Sequence, residues 1–403
     1  MFIKLPKFGE DFLLLALRIG KHNKNYIDYY IGPKKLSEIV GNEDIISPNK
    51  LLRDCEILRK QLFNQGFDKG REKYLEKMLI SMKTSLEILN GIKLPFKDQF
   101  FRLYDAKLEP VKQSELDALI EDIINVYGGN EGFEAKMLKL RKRRMVPPGD
   151  VYELFEKAIN IVRDRTRDLF VGIFQNEEEI IIKLVESRED MAKWSYYQQY
   201  QGNFRSLIEV NPHFGIYSTS LLFYAAHEGY PGHHTEFTIK EQKLYNDLNQ
   251  FEHLILLLNS PKLLVSEGIA NHAINMLYTF SEEARITAEN FCISGSKGDS
   301  PETLTQENKV RGRVQLFWYD LAYKALVENW SEEKLMSYAT SFKIYTKNTI
   351  KNRLISLKDP VHSSTIFSYE LGRNLIINKY GEFPSIKNFR NLLETSVLPS
   401  DML

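Results

Sequence analysis

Apolar residues at spacings of three and four run through most of this 403-residue chain, and that pattern commits it to a largely helical fold. In SPNKLLRDCEILRKQLFNQ, Ser47 and Pro48 supply a cap and a first turn, and Leu51, Leu52, Cys55, Leu58 and Leu62 line one face. The same spacing predicts helices over 70–90, 113–127, 151–170, 218–229, 233–258, 262–280, 303–328, 332–348 and 364–379. MVPPGD (145–150) is the clearest interruption. It reads as a connection between helices, because composition does not change across it, and Asp150 stands where it would cap the next helix.

The texture changes between 169 and 212. LFVGIFQ (169–175), EIIIKLVES (179–187) and FRSLIEVNP (204–212) are short and rich in β-branched or aromatic residues. They predict three strands of a small sheet just ahead of a histidine cluster. The expected fold class is therefore mainly α, a multi-helix chain with a small antiparallel sheet preceding the helix that carries the histidines. One domain is expected over 1–403, with a helical part to about 168 and a part holding the sheet and the histidines from about 169.

Composition narrows the partners. The 54 basic and 54 acidic residues cancel, so no overall electrostatic pull toward nucleic acid or an anionic membrane follows. KLRKRR (139–144) is the strongest basic run, but it lacks the interleaved aromatics of a strand-binding surface and reads as a solvated helix end. Two cysteines, Cys55 and Cys292, exclude a disulfide framework and have no metal-type spacing. Near the N-terminus, FLLLALRIG is short and interrupted by Arg18, which predicts an amphipathic helix and not a signal or anchor. A soluble cytoplasmic protein without nucleic-acid or membrane partners is expected.

AAHEGYPGHHTEF (225–237) gathers three of the eight histidines. It opens like the zinc motif H-E-x-x-H, in which imidazoles four residues apart share a helix face and the glutamate serves as base. Pro231 stands where the second histidine belongs. It cannot bind a metal, and it lacks the N–H that would close the helix onto residue 227. Two geometries restore a site. In an unbroken helix His234 returns to nearly the same face, but roughly 10.5 Å higher, a long span for one ion. If Pro231 and Gly232 bulge out, the remainder reads H-E-G-Y-H and His233 takes the second ligand's position. His233 is preferred, with His234 as the alternative. A third ligand is expected from another helix. PKLLVSEGIANHAINMLYTF (261–280) sets Glu267 in an otherwise apolar turn, where a buried carboxylate needs a partner. Asn271, four residues on, shares its face, and His272 follows.

HEGYPGHHTE followed by LVSEGIANHA resembles the H-E-x-x-P-G-H-H and E-G-x-A signatures of the family called domain of unknown function 885. Its members are regarded as zinc metallopeptidases with a zincin-like fold similar to the thermostable zinc carboxypeptidases. YIDYYIGPKKL (26–36), LPFKDQFFRLYD (94–105) and TIFSYELGRNLI (365–376) resemble one branch of that family, so the likeness spans nearly the whole chain. It implies His227 and His233 or His234 as metal ligands, Glu267 as the third, and Glu228 as the general base. The chain departs from many members at EGIAN, where they carry an aromatic after E-G, and that bears on the pocket wall.

Tyr369 and Arg373 are four apart in SYELGRNLI and share a helix face. Tyr369 is the candidate to steady an oxyanion, and Arg373 the candidate to hold a substrate carboxylate. A core tyrosine and a surface arginine would fit the same spacing. His362 is a further candidate donor. FRSLIEVNP is expected as an edge strand that pairs with an extended substrate, which would bring Arg205 or Asn211 into contact with it. Tyr230 either faces the site or fills the bulge. The expected function is a zinc-dependent metallopeptidase, a carboxypeptidase-like exopeptidase on short peptides, with Co²⁺ or Mn²⁺ compatible with the same donors. The alternatives are a metal hydrolase of a non-peptide amide or ester, and a non-catalytic helical binding protein with a structural metal site.

Overall fold

Helices form over most of the segments in which apolar residues recur with helical period. The computed structural model describes residues 5–127, 133–185, 195–293, 299–358 and 363–403. Lys7–Gly20 is the expected amphipathic helix; it buries Phe8, Phe12, Leu15, Ala16 and Ile19 and packs on Pro48–Leu62. Lys69–Leu89, Gln113–Tyr127 and Val151–Leu169 follow. Asp150 takes the N-cap position of the last, but its side chain makes no capping bond. Among the described residues, no helix is long and apolar enough to cross a membrane.

Several predicted helices are shorter than their apolar pattern. The stretch 233–258 is helical over His233–Lys240, continues as π-helical turns over Glu241–Asn246, and ends in a short strand at Ile255–Leu257. A run such as ILLL has no period of its own, so burial and pairing decide its conformation. The stretch 303–328 divides into Pro301–Arg311 and Gln315–Leu326, and 332–348 into Glu332–Ser341 and a separate helix, Lys347–Ser356.

The strands also depart from expectation. They are β1 (Ile27–Tyr30), β2 (Glu179–Leu184), β3 (Tyr196–Gly202), β4 (Arg205–Val210) and β5 (Ile255–Leu257). β1 and β5 form a small antiparallel pair. The other three form a sheet in the order β2-β4-β3, with β2 parallel and β3 antiparallel to β4. LFVGIFQ is not a strand: Leu169 ends a helix, and a turn follows. Its place is taken by YYQQYQG, whose alternate residues Tyr196, Gln198 and Tyr200 are buried. β4 is therefore the central strand and not the edge strand that its position in the sequence suggested. The two edges are β2 and β3, and β1 lies beside β3.

Among the described residues, three apolar clusters make up the interior. One joins the first helices to Phe251, Ile255 and Leu398. A second runs from Phe100 and Tyr104 to Phe317, Phe367 and Phe389, and a third from Phe155 and Val162 to Ile208, Ala226 and Ile274. The helix Pro261–Leu277 feeds the second through Leu264 and Ile269 and the third through Ala273 and Leu277. It is buried all round, as expected of a helix apolar on every face. Glu267 and Asn271 are its two less covered residues, and this pair marks where the packing opens.

The basic run 139–144 ends the helix Phe133–Arg144. Arg141, Lys142 and Arg143 are exposed, as expected of a solvated end. Arg144 is not: it is buried, and its guanidinium bridges Asp299 and Glu307, both at 2.7 Å.

Candidate metal centre

The histidine motif is built on two irregular turns. Residues Leu221–Tyr224 are α-helical and Ala225–Gly229 widen into a π-helical turn that holds His227 and Glu228. The chain then leaves the helix at Tyr230 and Pro231, which are joined by a cis peptide, and re-enters at His233. Gly232 makes this re-entry feasible. Its N–H bonds the Ala226 carbonyl at 3.0 Å. A Cβ there would stand 2.0 Å from the carbonyl oxygen of His227 and 2.4 Å from that of Ala226, so no other residue fits so close an approach. Pro231 and Gly232 thus form the two-residue bulge inferred from the sequence, and His233 stands where the second histidine of the motif belongs.

The third group arrives on the buried helix. Ser260 caps it by accepting a bond from the Leu263 N–H at 3.2 Å, and Pro261 occupies its first turn. This helix crosses Ile366–Tyr380 at two glycines: a Cβ on Gly268 would lie 2.5 Å from the Gly372 carbonyl oxygen, and one on Gly372 as close to that of Leu264. Backbone-to-backbone contact sets Glu267, next to Gly268, opposite Tyr369, one turn before Gly372.

Donor atoms of His227, His233 and Glu267 lie within 4.8 Å of one another. Each imidazole Nε2 is 3.9 Å from an oxygen of Glu267, and Glu228 Oε1 is 4.0 Å from His227 Nε2. Glu267 Oε2 is buried and makes no hydrogen bond. Burial, reinforced by Glu228, holds Glu267 well above the carboxylate range. Burial and the neighbouring Asp28 push Glu228 up to about 8. Burial, then His233, holds His227 well below the usual histidine range, and burial lowers His233 to about 4. Neutral imidazoles beside carboxyl groups without a cationic partner are a donor set that suits a divalent ion of the zinc type.

His233 is held in one orientation. Ser266 donates its hydroxyl to Glu236 at 2.6 Å. Its oxygen is then left to accept from His233 Nδ1, 3.2 Å away. That bond keeps the proton on Nδ1 and aims the Nε2 lone pair at Glu267. Lys240 neutralises Glu236 from the other side at 2.6 Å.

His234, the alternative ligand, turns the other way. Its Nδ1 meets Ser206 Oγ and its Nε2 meets Glu178, both at 2.8 Å, so both ring nitrogens are engaged. Tyr230 donates its hydroxyl to the same Glu178, which assigns it to this second cluster and not to the metal centre.

The cavity beside the centre has a volume of about 190 Å³ and is lined by Tyr369, Phe237, Asp28 and the β3 residues Tyr196, Tyr197 and Gln198. Tyr369 therefore reaches the site as expected. Glu267, then burial and Glu228, raise its pKa far above the tyrosine range, so its hydroxyl stays a neutral donor. Arg373 does not reach the site: it pairs with Glu382 at 2.7 Å, close against Gly312. Arg205 pairs with Glu179 on the surface, and Asn211 lies just beyond the sheet, where it accepts from the His213 N–H at 3.1 Å. Asn271 bonds back to the Glu267 carbonyl, and His272 meets the Glu382 carbonyl, both at 2.8 Å. His362 falls outside the described residues. Asp28, Ser266 and the β3 residues escape a reading of the sequence, although Asp28 lies in a segment, YIDYYIGPKKL, that the family likeness does single out.

No family model matches the chain, and no curated protein matches it. Solved structures are similar to it, two of them as follows. A putative lipoprotein from Colwellia psychrerythraea superposes with a TM-score of 0.52 at 12% identity, over 98% of this chain and 73% of that one. A putative lipoprotein of unknown function from Shewanella oneidensis gives 0.49 at 14% identity, over 91% and 74%. The first supports a shared fold, and neither name carries a function.

Proposed function

We propose that this chain is a zinc-dependent metallopeptidase with a zincin-like centre, an exopeptidase acting on short peptides. The observation that carries the proposal is the convergence of two neutral imidazoles and a buried, unpartnered Glu267 within 4.8 Å, with Glu228 beside them. His227, His233 and Glu267 would hold the ion, which supplies Lewis acidity, lowering the pKa of water and polarising a carbonyl. Glu228 takes the proton of the attacking water and returns it to the leaving amine, two duties for one carboxyl whose buried setting raises its proton affinity. Tyr369 donates its hydroxyl to the oxygen on which negative charge develops. The cavity of about 190 Å³ favours short substrates over folded proteins. A cytoplasmic setting is part of the proposal and agrees with two unpaired cysteines, Cys55 and Cys292.

Arg373, the residue expected to hold a substrate carboxylate, is occupied by Glu382. The carboxypeptidase assignment has lost its anchor, and hydrolysis of a small amide or ester by the same groups is the second reading. Glu228→Gln decides whether the centre is hydrolytic. Bound zinc should stay at about one equivalent while turnover falls by roughly 10² to 10⁴. Unchanged turnover would refute the assignment of the base. Profiling the unaltered protein against peptides, amides and esters separates the two substrate classes.

A further inference from the structure

The cavity carries one more charge than hydrolysis requires. Of its three carboxyl groups, Glu267 belongs to the donor set and Glu228 is the base. Asp28, on β1, is neither. It accepts one hydrogen bond, from the Tyr197 hydroxyl at 3.3 Å, and among the described residues it has no ion-pair partner. Lys262, the cation that acts on it through space, is already bound to the Tyr29 hydroxyl at 2.8 Å and the Ile255 carbonyl at 2.9 Å. Burial raises Asp28 to about 6 against the pull of Tyr197 and Lys262.

The rest of the lining has the same polarity. Among the described residues no lysine or arginine lines the cavity, while Tyr196, Tyr197 and Phe237 do. A part-buried carboxylate among aromatic rings favours a cation. A carboxylate ligand beside Asp28 would meet like charge, with no lysine or arginine of the lining to offset it.

We propose that Asp28 anchors a protonated amine of the substrate, so that the cavity takes peptides by an ammonium group and not by their terminal carboxylate. The α-amine of a short peptide and the ammonium of a lysine side chain share this chemistry. The inference deepens the peptidase reading, because it directs exopeptidase action to the amino end, but amine binding and cleavage are measured separately.

Zinc-loaded Glu228→Gln protein is titrated calorimetrically near neutral pH with trialanine, N-acetyl-trialanine, trialanine amide and N-acetyl-alanyl-lysyl-alanine. Trialanine should bind at least about tenfold more tightly than its acetylated form, the worth of one charge-assisted hydrogen bond, and the amide should match trialanine. In the Asp28→Asn, Glu228→Gln double variant the tenfold difference should vanish, with melting temperature and zinc content unchanged. If the acetylated lysyl peptide binds as trialanine does, the side chain is a competent source of the amine; if it binds as N-acetyl-trialanine does, the α-amine is the group recognised. Equal affinity for free and acetylated peptides, a preference that survives Asp28→Asn, tighter binding of the free carboxylate than of the amide, or no binding of any peptide would each overturn the proposal. The comparison on the Asp28-containing protein decides even if Asp28→Asn does not fold. Cleavage of the same peptides by the unaltered protein is read independently. Amine preference without cleavage removes the peptidase reading and keeps the anchor, and cleavage without preference does the reverse.

Discussion

His233 and His234 are neighbours in sequence, yet they end in two clusters that treat buried charge in opposite ways. Around His234 every group is matched. Although burial alone would raise Glu178, His234, Tyr230 and Arg167 hold it at about 2. Around His233 the match is missing: Glu228 and Glu267 are driven upward, and among the described residues only imidazoles that burial keeps neutral come within ion-pair distance of them. A buried group left without a partner costs stability, and a cation bound among these groups would relieve that cost, which is the proposal made above. The cluster around His234, equally polar and equally buried, is finished as it stands.

Exchanging the two histidines in turn is the strongest way to break this contrast. His233→Ala removes one of three donors, and zinc affinity should fall by well over the ~100-fold typical of losing an outer-shell contact. Dialysis followed by metal analysis reads it. His234→Ala should leave bound zinc unchanged and instead destabilise the fold by about 1–3 kcal/mol, the cost of taking one hydrogen bond from a buried carboxylate that keeps Tyr230 and Arg167, seen as a lower urea midpoint. Loss of zinc in His234→Ala with retention in His233→Ala would reverse the assignment.

Acid sharpens the comparison at a somewhat smaller scale. Glu178 titrates in the folded protein below its ordinary value of 4.5, at about 2. Its interactions therefore stabilise the fold fully above pH 4.5 and are lost as the pH falls from there toward 2. The loss amounts to about 3 kcal/mol. Denaturation curves collected down that range should show it, and Glu178→Gln should flatten them. An equally steep acid limb in Glu178→Gln would mean that other carboxylates carry the effect.

Much of this architecture was legible in the sequence, and the failures have physical causes. The bulge at Pro231 and Gly232 could be inferred because proline forbids the regular helix bond and because deleting two residues restores a known spacing. Glu267 could be inferred because an ionisable group in an apolar turn needs a reason. Arg373 misled because four residues of separation fix a helix face and not what lies opposite it; Glu382 was the competitor that spacing alone does not reveal. β4 misled because order along the chain does not give order across a sheet. Asp28 was invisible for a similar reason: β1 reaches the cavity by pairing with β5, more than 200 residues away, and no local pattern carries that contact.

The smallest of the expected effects bears most directly on how two adjacent histidines come to differ. Each has its Nδ1 against a buried serine: Ser266 for His233 at 3.2 Å, Ser206 for His234 at 2.8 Å. Ser266 donates its own hydroxyl hydrogen bond to Glu236, so it can only accept from the ring, and the imidazole is left with Nε2 bare. Ser206 receives a bond from Gln198 at 2.8 Å, and the far nitrogen of its histidine is taken by Glu178. The serine hydroxyls are thus wired in opposite senses. Ser266→Ala should lower zinc affinity by 10- to 100-fold, about 1.4–2.7 kcal/mol, because the ring loses the bond that fixes its tautomer and orientation. Ser206→Ala should leave zinc affinity where it was and show its effect in stability alone. Competition with a chelator of known affinity measures both variants on one scale, and equal losses would mean that the serines do not distinguish the two rings.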